Sequence, residues 1–186
     1  MAAARAVSLV FQPAVTLTVL LDVLAIRHPA WRGAILAVWA LLAALPALAL
    51  AIGMRLGVWS DIEITRLRER RTFLPIAAAM AAAIAIWALL APFPYALRLV
   101  AVAVALWLVG STLVSFVWKI SLHEGATVGM LCLVAWLFGI GAAGAFVWAP
   151  FLVAWARLRL GQHTPAQLLA GAAAAAAAFT LALRLA

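Results

Sequence analysis

Charge is scarce in this chain: Asp, Glu, Lys and Arg make up 10% of its 186 residues, while 70% are hydrophobic. A water-soluble domain devotes about 25% of its residues to charge, so the composition excludes one and calls for an integral membrane protein. Cysteine is nearly absent. Cys132 lies alone in an apolar run, which excludes an intramolecular disulfide and leaves the reading of a small buried hydrophobe. The five acidic residues and three histidines are scattered and form no set with metal-ligand spacing. Neither a metal nor a cofactor is expected. The sequence also lacks a glycine-rich phosphate loop, a Ser-His-Asp protease pattern and any nucleic-acid-binding motif. The formal charge of +8 therefore points to anionic lipid headgroups as partners, not to nucleic acid.

What fills the sequence is apolar runs. They fall at about 6–26, 33–54, 73–92, 96–117, 126–142, 145–158 and 165–185. Crossing a hydrocarbon layer of ~30 Å takes a helix of ~20 such residues. The N-terminal run carries no convincing cleavage site and reads as a first span, not a signal peptide. The stretch from Thr127 to Trp155 is long for one helix and short for two; "GIGAAGA" at 139–145 breaks it and Pro150 follows, which predicts a tight hairpin of two short helices. The expected fold is all-α, one domain over 1–186. It is a polytopic transmembrane helical bundle of six to seven spans, including that short helical hairpin before the last span. The alanine run 172–178 predicts a smooth, close-packing helix face. The expected location is a bacterial or archaeal cell membrane, crossed many times.

With the hairpin in place, the polar connections near 55–72, 118–125 and 157–164 emerge on one side of the membrane. They hold "RLGVWSDIEITRLRERR", "KISLHEG" and "RLRLGQH", and that side takes all but four of the 13 basic residues, the exceptions being Arg27, Arg32, Arg98 and Arg184. The positive-inside rule would make this side cytoplasmic, but arginines recruited to an anion site skew that count. The nine tryptophans, among them Trp31, Trp59, Trp118, Trp148 and Trp155, sit mostly near span ends, where their rings anchor at the interface. Asp22 snorkels toward Arg27, while Asp61 and Glu63 are expected to pair with neighbouring arginines.

The last polar connection carries the densest chemistry. Arg157 precedes His163 by six residues and Gln167 follows it by four, one helical turn, which lets the Gln167 amide accept a hydrogen bond from the ring. A histidine oriented in this way presents its other nitrogen to a substrate. Here the sequence resembles the type 2 phosphatidic acid phosphatases, whose last motif reads S-R, five residues, H, three residues, D. Arg157 and His163 keep the spacing, and "LGQHTPAQLLAG" resembles the flanks of that motif, with Ala156 for the serine and Gln167 for the aspartate. The family's P-S-G-H motif is matched upstream by Ser121 and His123 of "KISLHEG". Its first motif, K, six residues, R-P, is matched poorly: with Arg71 as the arginine, Ile64 takes the lysine position. Arg68 shares a helix face with 64 and 71 and can offer the missing charge; Arg66 and Arg70 form a competing pair, and Lys119 is a further source.

The resemblance covers about residues 58–171 and implies a metal-independent membrane phosphatase. A phosphate needs several donors around its oxygens, and Arg68, Arg71, Lys119, Ser121 and Arg157 are the residues implied to bind it. His163 would attack phosphorus to give a phosphohistidine, Gln167 would orient it, and His123 would protonate the departing lipid oxygen and then activate water. Substrates implied are phosphatidic acid, other lipid phosphates and isoprenoid diphosphates. Gln167 also favours an alternative, a non-hydrolytic relative that binds or translocates phosphorylated lipids; a third reading is a structural membrane subunit whose basic loops set topology.

Overall fold

Pro13 cannot donate a backbone hydrogen bond, and it separates α1 (Ala2–Val10) from α2 (Pro13–Arg27), which meet at a bend of 43° in the computed structural model, covering residues 1–186. A single 3-10 turn, Pro29–Trp31, leads into a long helix in two parts, α3 (Arg32–Trp39) and α4 (Leu45–Arg55), joined by a π-helical turn at Ala40–Ala44. Pro46 explains the irregularity, because its ring displaces the carbonyl one turn back and the widened turn absorbs the displacement. Three further segments are continuous: α5 (Leu67–Leu90), α6 (Tyr95–Ser115) and α10 (Pro165–Leu185). Between α6 and α10 run α7 (Leu122–Phe138), the short α8 (Ile140–Gly144) and α9 (Trp148–Arg159).

The protein is an all-helical bundle. Five of its helical stretches are long and apolar enough to cross a membrane, and a sixth is gained if α1 and α2 form one bent span; α7 is apolar but only 17 residues long. The hairpin predicted before the last helix is present. Its break falls at Gly139, the first residue of the expected 139–145, with α7 stopping at Phe138 and α8 beginning at Ile140. Pro150 stands in the first turn of α9, where its missing N–H costs nothing.

The core runs along α6, where Ala96, Val100, Ala101, Val102, Ala103 and Ala105 are buried, chiefly against α5 and α10. Small side chains let these helices approach closely, which is how helices associate in lipid, where no water is left to squeeze out. The last helix takes this furthest. A Cβ at Gly171 would lie 2.3 Å from the Ser121 backbone oxygen, and one at Gly125 would lie 2.5 Å from the Trp107 indole nitrogen and 3.0 Å from the Gly171 carbonyl oxygen. These two glycines bring the start of α7 directly against α10. Gly171→Ala forces backbone away from backbone, at a cost of about 1–3 kcal/mol, and should lower the thermal midpoint in detergent by roughly 5 °C.

The two ends of the bundle differ. At one, the Arg27 guanidinium donates to the Leu137 carbonyl at 2.9 Å and covers the Phe138 ring, the Tyr95 hydroxyl donates to the Leu183 carbonyl, and Trp31 and Trp87 pack edge-on against Phe93. Arg27 is thus engaged with the hairpin, and the expected Asp22 to Arg27 pairing does not form; Asp22 is exposed on α2. At the other end the connections 56–66, 116–121 and 160–164 touch one another. This is the shared side inferred from helix parity.

Candidate functional site

Arg157 is the centre of that end. The buried face of α9 repeats as Ala149, Val153, Ala156, Arg157, so the stripe that packs the helix carries the arginine inward, while Arg159 stays outside. Its side chain is wholly buried. Nη1 donates to Glu63 Oε2 at 2.9 Å and to the Ser8 hydroxyl at 2.6 Å, and Nε donates to His163 Nδ1 at 3.3 Å. Ser8 arrives on α1, which packs along α9.

Glu63 is the acceptor at the centre of the cluster. Besides Arg157 it takes hydrogen bonds from the Ser8 hydroxyl and from Gln162 Nε2 at 2.8 Å, and His123 Nε2 lies 3.6 Å from its other oxygen. Burial alone would raise this carboxyl's pKa. The Ser8 hydroxyl and the charge of Arg157, with a lesser contribution from His123, outweigh it and hold the group down to about 2. The segment is shaped by Asp61, whose carboxylate accepts from the backbone of Glu63 and Thr65 and from the Thr65 hydroxyl. Asp61 therefore builds a turn and does not pair with an arginine, and the partner of Glu63 is not a neighbour but Arg157, at the far end of the sequence. Ile64, which follows, is held at φ +45°, a conformation that costs a β-branched residue of the order of 1–3 kcal/mol.

Histidines stand on two sides of the cluster. His123 sits in the first turn of α7 and is buried; the Ser121 hydroxyl caps that turn by accepting from the Glu124 N–H at 3.2 Å. His163 lies in the turn between α9 and α10, which Gly161 reverses at φ +65°, a conformation most side chains avoid. Burial, and then the positive charges of Arg157, Lys119 and Arg70, hold His163 down to about 2, so its ring is neutral at any working pH. Because Nδ1 accepts from Arg157, the proton of the neutral ring belongs on Nε2.

The expected orienting role of Gln167 is not what the structure places there. Thr164 and Gln167 form a reciprocal capping box: the Gln167 side chain accepts from the Thr164 N–H at 3.1 Å and the Thr164 hydroxyl accepts from the Gln167 N–H at 3.4 Å. A three-residue spacing at a helix start satisfies two orphan donors locally, and that demand takes the amide away from the histidine. Arg157 orients His163 instead.

Among the basic residues, Arg68 and Arg71 are exposed and lie away from the cluster, with Arg71 donating weakly to the Ser115 carbonyl at 3.4 Å. The inward arginine of α5 is Arg70, wholly buried. It donates through Nε to the Ile64 carbonyl at 2.8 Å and through Nη1 to the Ile120 carbonyl. The buried stripe of α5, Arg70, Leu74, Ala77, Ala78, Ala81, explains the choice: 70 continues the apolar face, whereas 68 and 71 flank it. Lys119 donates to the Gln162 carbonyl at 2.8 Å, beside the site, and burial with repulsion from Arg70 and Arg157 brings its pKa down to about 8. Ser8, Glu63 and Gln162 complete the cluster as parts the sequence reading did not assign to it.

Several polar atoms here are buried without a partner: Arg70 Nη2, Arg157 Nη2, His123 Nε2 and His163 Nε2. Buried nitrogens left unpaired are costly, and nitrogens of this kind are what an oxyanion would satisfy. An apolar cavity of about 210 Å³ opens from the same place. Gln12, Glu63 and His123 are among its polar lining residues; Pro46, Leu50, Phe73, Met80 and Leu133 are among its apolar ones. From His123 to Leu133 it follows ten residues of α7, about 15 Å into the bundle. Such a site can hold an amphiphile with an anionic head and an apolar chain. Compared with known proteins, the chain matches no family model, no curated protein and no solved structure, and the chemistry of the site carries the functional reading.

Proposed function

We propose that the protein is a membrane phosphatase, similar to the type 2 phosphatidic acid phosphatases, that removes phosphate from a lipid phosphate or an isoprenoid diphosphate. The observation that carries this reading is the pair of buried histidines, His123 and His163, linked through Glu63 and one buried arginine, Arg157, with His123 and Glu63 lining an apolar cavity. The phosphate takes the place of the Glu63 carboxylate. Arg157, Arg70 and Lys119 neutralise its oxygens, and the chain of the substrate follows the cavity into the bundle.

In the reaction, His163 Nε2 attacks phosphorus as the bond from phosphorus to the lipid oxygen breaks, and His123, which takes up a proton as the phosphate dianion replaces the singly charged carboxylate beside it, gives that proton to the departing oxygen. Water, deprotonated by His123, then attacks the phosphohistidine, releasing inorganic phosphate and restoring His163. Attack requires the lone pair on Nε2, so the proton shifts to Nδ1 and Arg157 Nε turns from the ring to the phosphate. By burial Arg70, not the exposed Arg71, suits the arginine of the first motif, although the lysine position then falls on Glu63, a residue of opposite charge.

The purified protein should release phosphate from phosphatidic acid or a prenyl diphosphate without added divalent metal. No release across that panel, in folded protein, defeats the reading. A second reading, binding or translocation without hydrolysis, is favoured by one contact: the Arg157 bond to His163 Nδ1 leaves a donor, not a nucleophile, on Nε2.

Lys119 adds a dependence on pH. An anion binds the charged ammonium, and the free-site pKa of about 8 lies below the ordinary value. Affinity for dodecyl phosphate, a dianion above about pH 7, should be greatest between about pH 7 and 8 and should fall as pH rises through the Lys119 pKa, by up to about tenfold per unit. Lys119→Gln should weaken binding and flatten that slope, measured by titration calorimetry.

A further inference from the structure

Arg157 is buried beyond the reach of water and needs a counter-charge in every state, because a buried charge left alone is expensive. Glu63 supplies it in the structure, occupying the place between Arg157, Ser8, Gln162 and His123 into which an oxyanion would fit. A ligand therefore enters by exchange and not by addition. It must outcompete a carboxylate that is already hydrogen-bonded, in a membrane where phosphodiester headgroups surround the site at very high local concentration.

We infer that Glu63 is a specificity-determining residue that rejects phosphodiester lipids and admits phosphomonoesters and diphosphates. This rests on the proposed lipid-phosphate site. A diester carries one negative charge, the same as the carboxylate, and an ester substituent covers one of the oxygens that the donors need. A monoester carries nearly two charges at neutral pH and presents three free oxygens. It offers Arg157 more than Glu63 does, and it can also meet the unpartnered Arg70 Nη2 and His163 Nε2. Discrimination here works through an internal competitor, which penalises every weak ligand alike.

The chain near Glu63 fits an element that changes places. Ile64 is held in a left-handed conformation while Glu63 is seated, and moving Glu63 out lets that backbone relax. The segment is tied by side chains rather than by helix: Asp61 to Thr65, Gln162 to Glu63, and Glu69 to Ser60. These can be exchanged without unfolding α4 or α5.

The test compares dodecyl phosphate with dodecyl methyl phosphate, its diester, by titration calorimetry in detergent at pH 7.5. Wild type should bind the monoester at least 30-fold more tightly. In Glu63→Gln the ratio should shrink to a few-fold, chiefly because the diester binds at least tenfold more tightly. An unchanged ratio, or equal weakening of both ligands, overturns the inference; wild type binding neither ligand instead defeats the lipid-phosphate site itself. Glu63→Gln leaves Arg157 without its counter-ion, so its thermal midpoint should fall and should recover on adding inorganic phosphate by more than wild type gains. Gln162→Ala loosens the carboxylate without removing it, and should shrink the ratio in the same direction by two- to threefold; if neither variant shifts it, Glu63 does not set specificity.

Discussion

Arg157→Met is expected to bring phosphate release down by at least about 10³-fold, the scale on which an arginine that stabilises a transferring phosphoryl group acts. The same change should cost about 3–5 kcal/mol of stability, because it strands the half-buried Glu63 carboxylate among Ser8, Gln162 and His123 with no cation. These effects are separable. In Arg157→Met with Glu63→Gln the stranded charge is gone, and the neutral amide can accept from Gln162 through its oxygen while its NH2 donates to the Ser8 hydroxyl. The double variant should recover most of the thermal midpoint while phosphate release stays at background. If it recovered the activity too, Arg157 would be a structural partner of Glu63 and no part of an anion site. Arg157→Lys keeps one charge but loses the fork that spans Glu63, Ser8 and His163 at once, and should recover little.

The parts of this cluster differ in how far the sequence announces them. The helices do so plainly, since runs of twenty apolar residues have one physical outcome in lipid, and counting them gives the side on which each connection emerges. The meeting of "KISLHEG" with "RLGQHTPAQ" follows from that parity. What the sequence conceals is direction within a turn. Arg66, Arg68, Arg70 and Arg71 are equivalent as letters, and only the register of the buried alanines behind them on α5 selects Arg70. That register is present in the sequence as the spacing from 70 to 74, 77, 78 and 81, so this choice was recoverable.

Glu63 and Ser8 were not recoverable in that way. Their partner Arg157 is 94 residues from one and 149 from the other, and nothing in the pattern of α1 marks a serine that reaches a site at the opposite end of the chain. Gln167 misled for a different reason. Its spacing from His163 suits an orienting hydrogen bond, but its spacing from Thr164 suits a capping box, and the helix start has the stronger claim because its N–H groups have no other acceptor.

His163→Asn decides between hydrolysis and binding. The asparagine side-chain oxygen can take the place of Nδ1 as acceptor for Arg157 Nε, so the arginine keeps its position, and only the atom that would attack phosphorus is removed. If His163 is the nucleophile, phosphate release should fall by about 10⁴-fold or more while affinity for dodecyl phosphate stays within tenfold of wild type. Trapping supplies the positive control: with His123→Gln, which slows breakdown of the intermediate, labelled substrate should leave an acid-labile, base-stable phosphate on the protein, absent when His163→Asn is added. Gln167→Asp should change turnover by less than about threefold, since an acid at this position still caps α10 and the histidine answers to Arg157. The non-hydrolytic reading predicts otherwise. Wild type would then release no phosphate above background, and His163→Asn would weaken binding by about 10- to 100-fold, the worth of one lost hydrogen bond to a charged ligand.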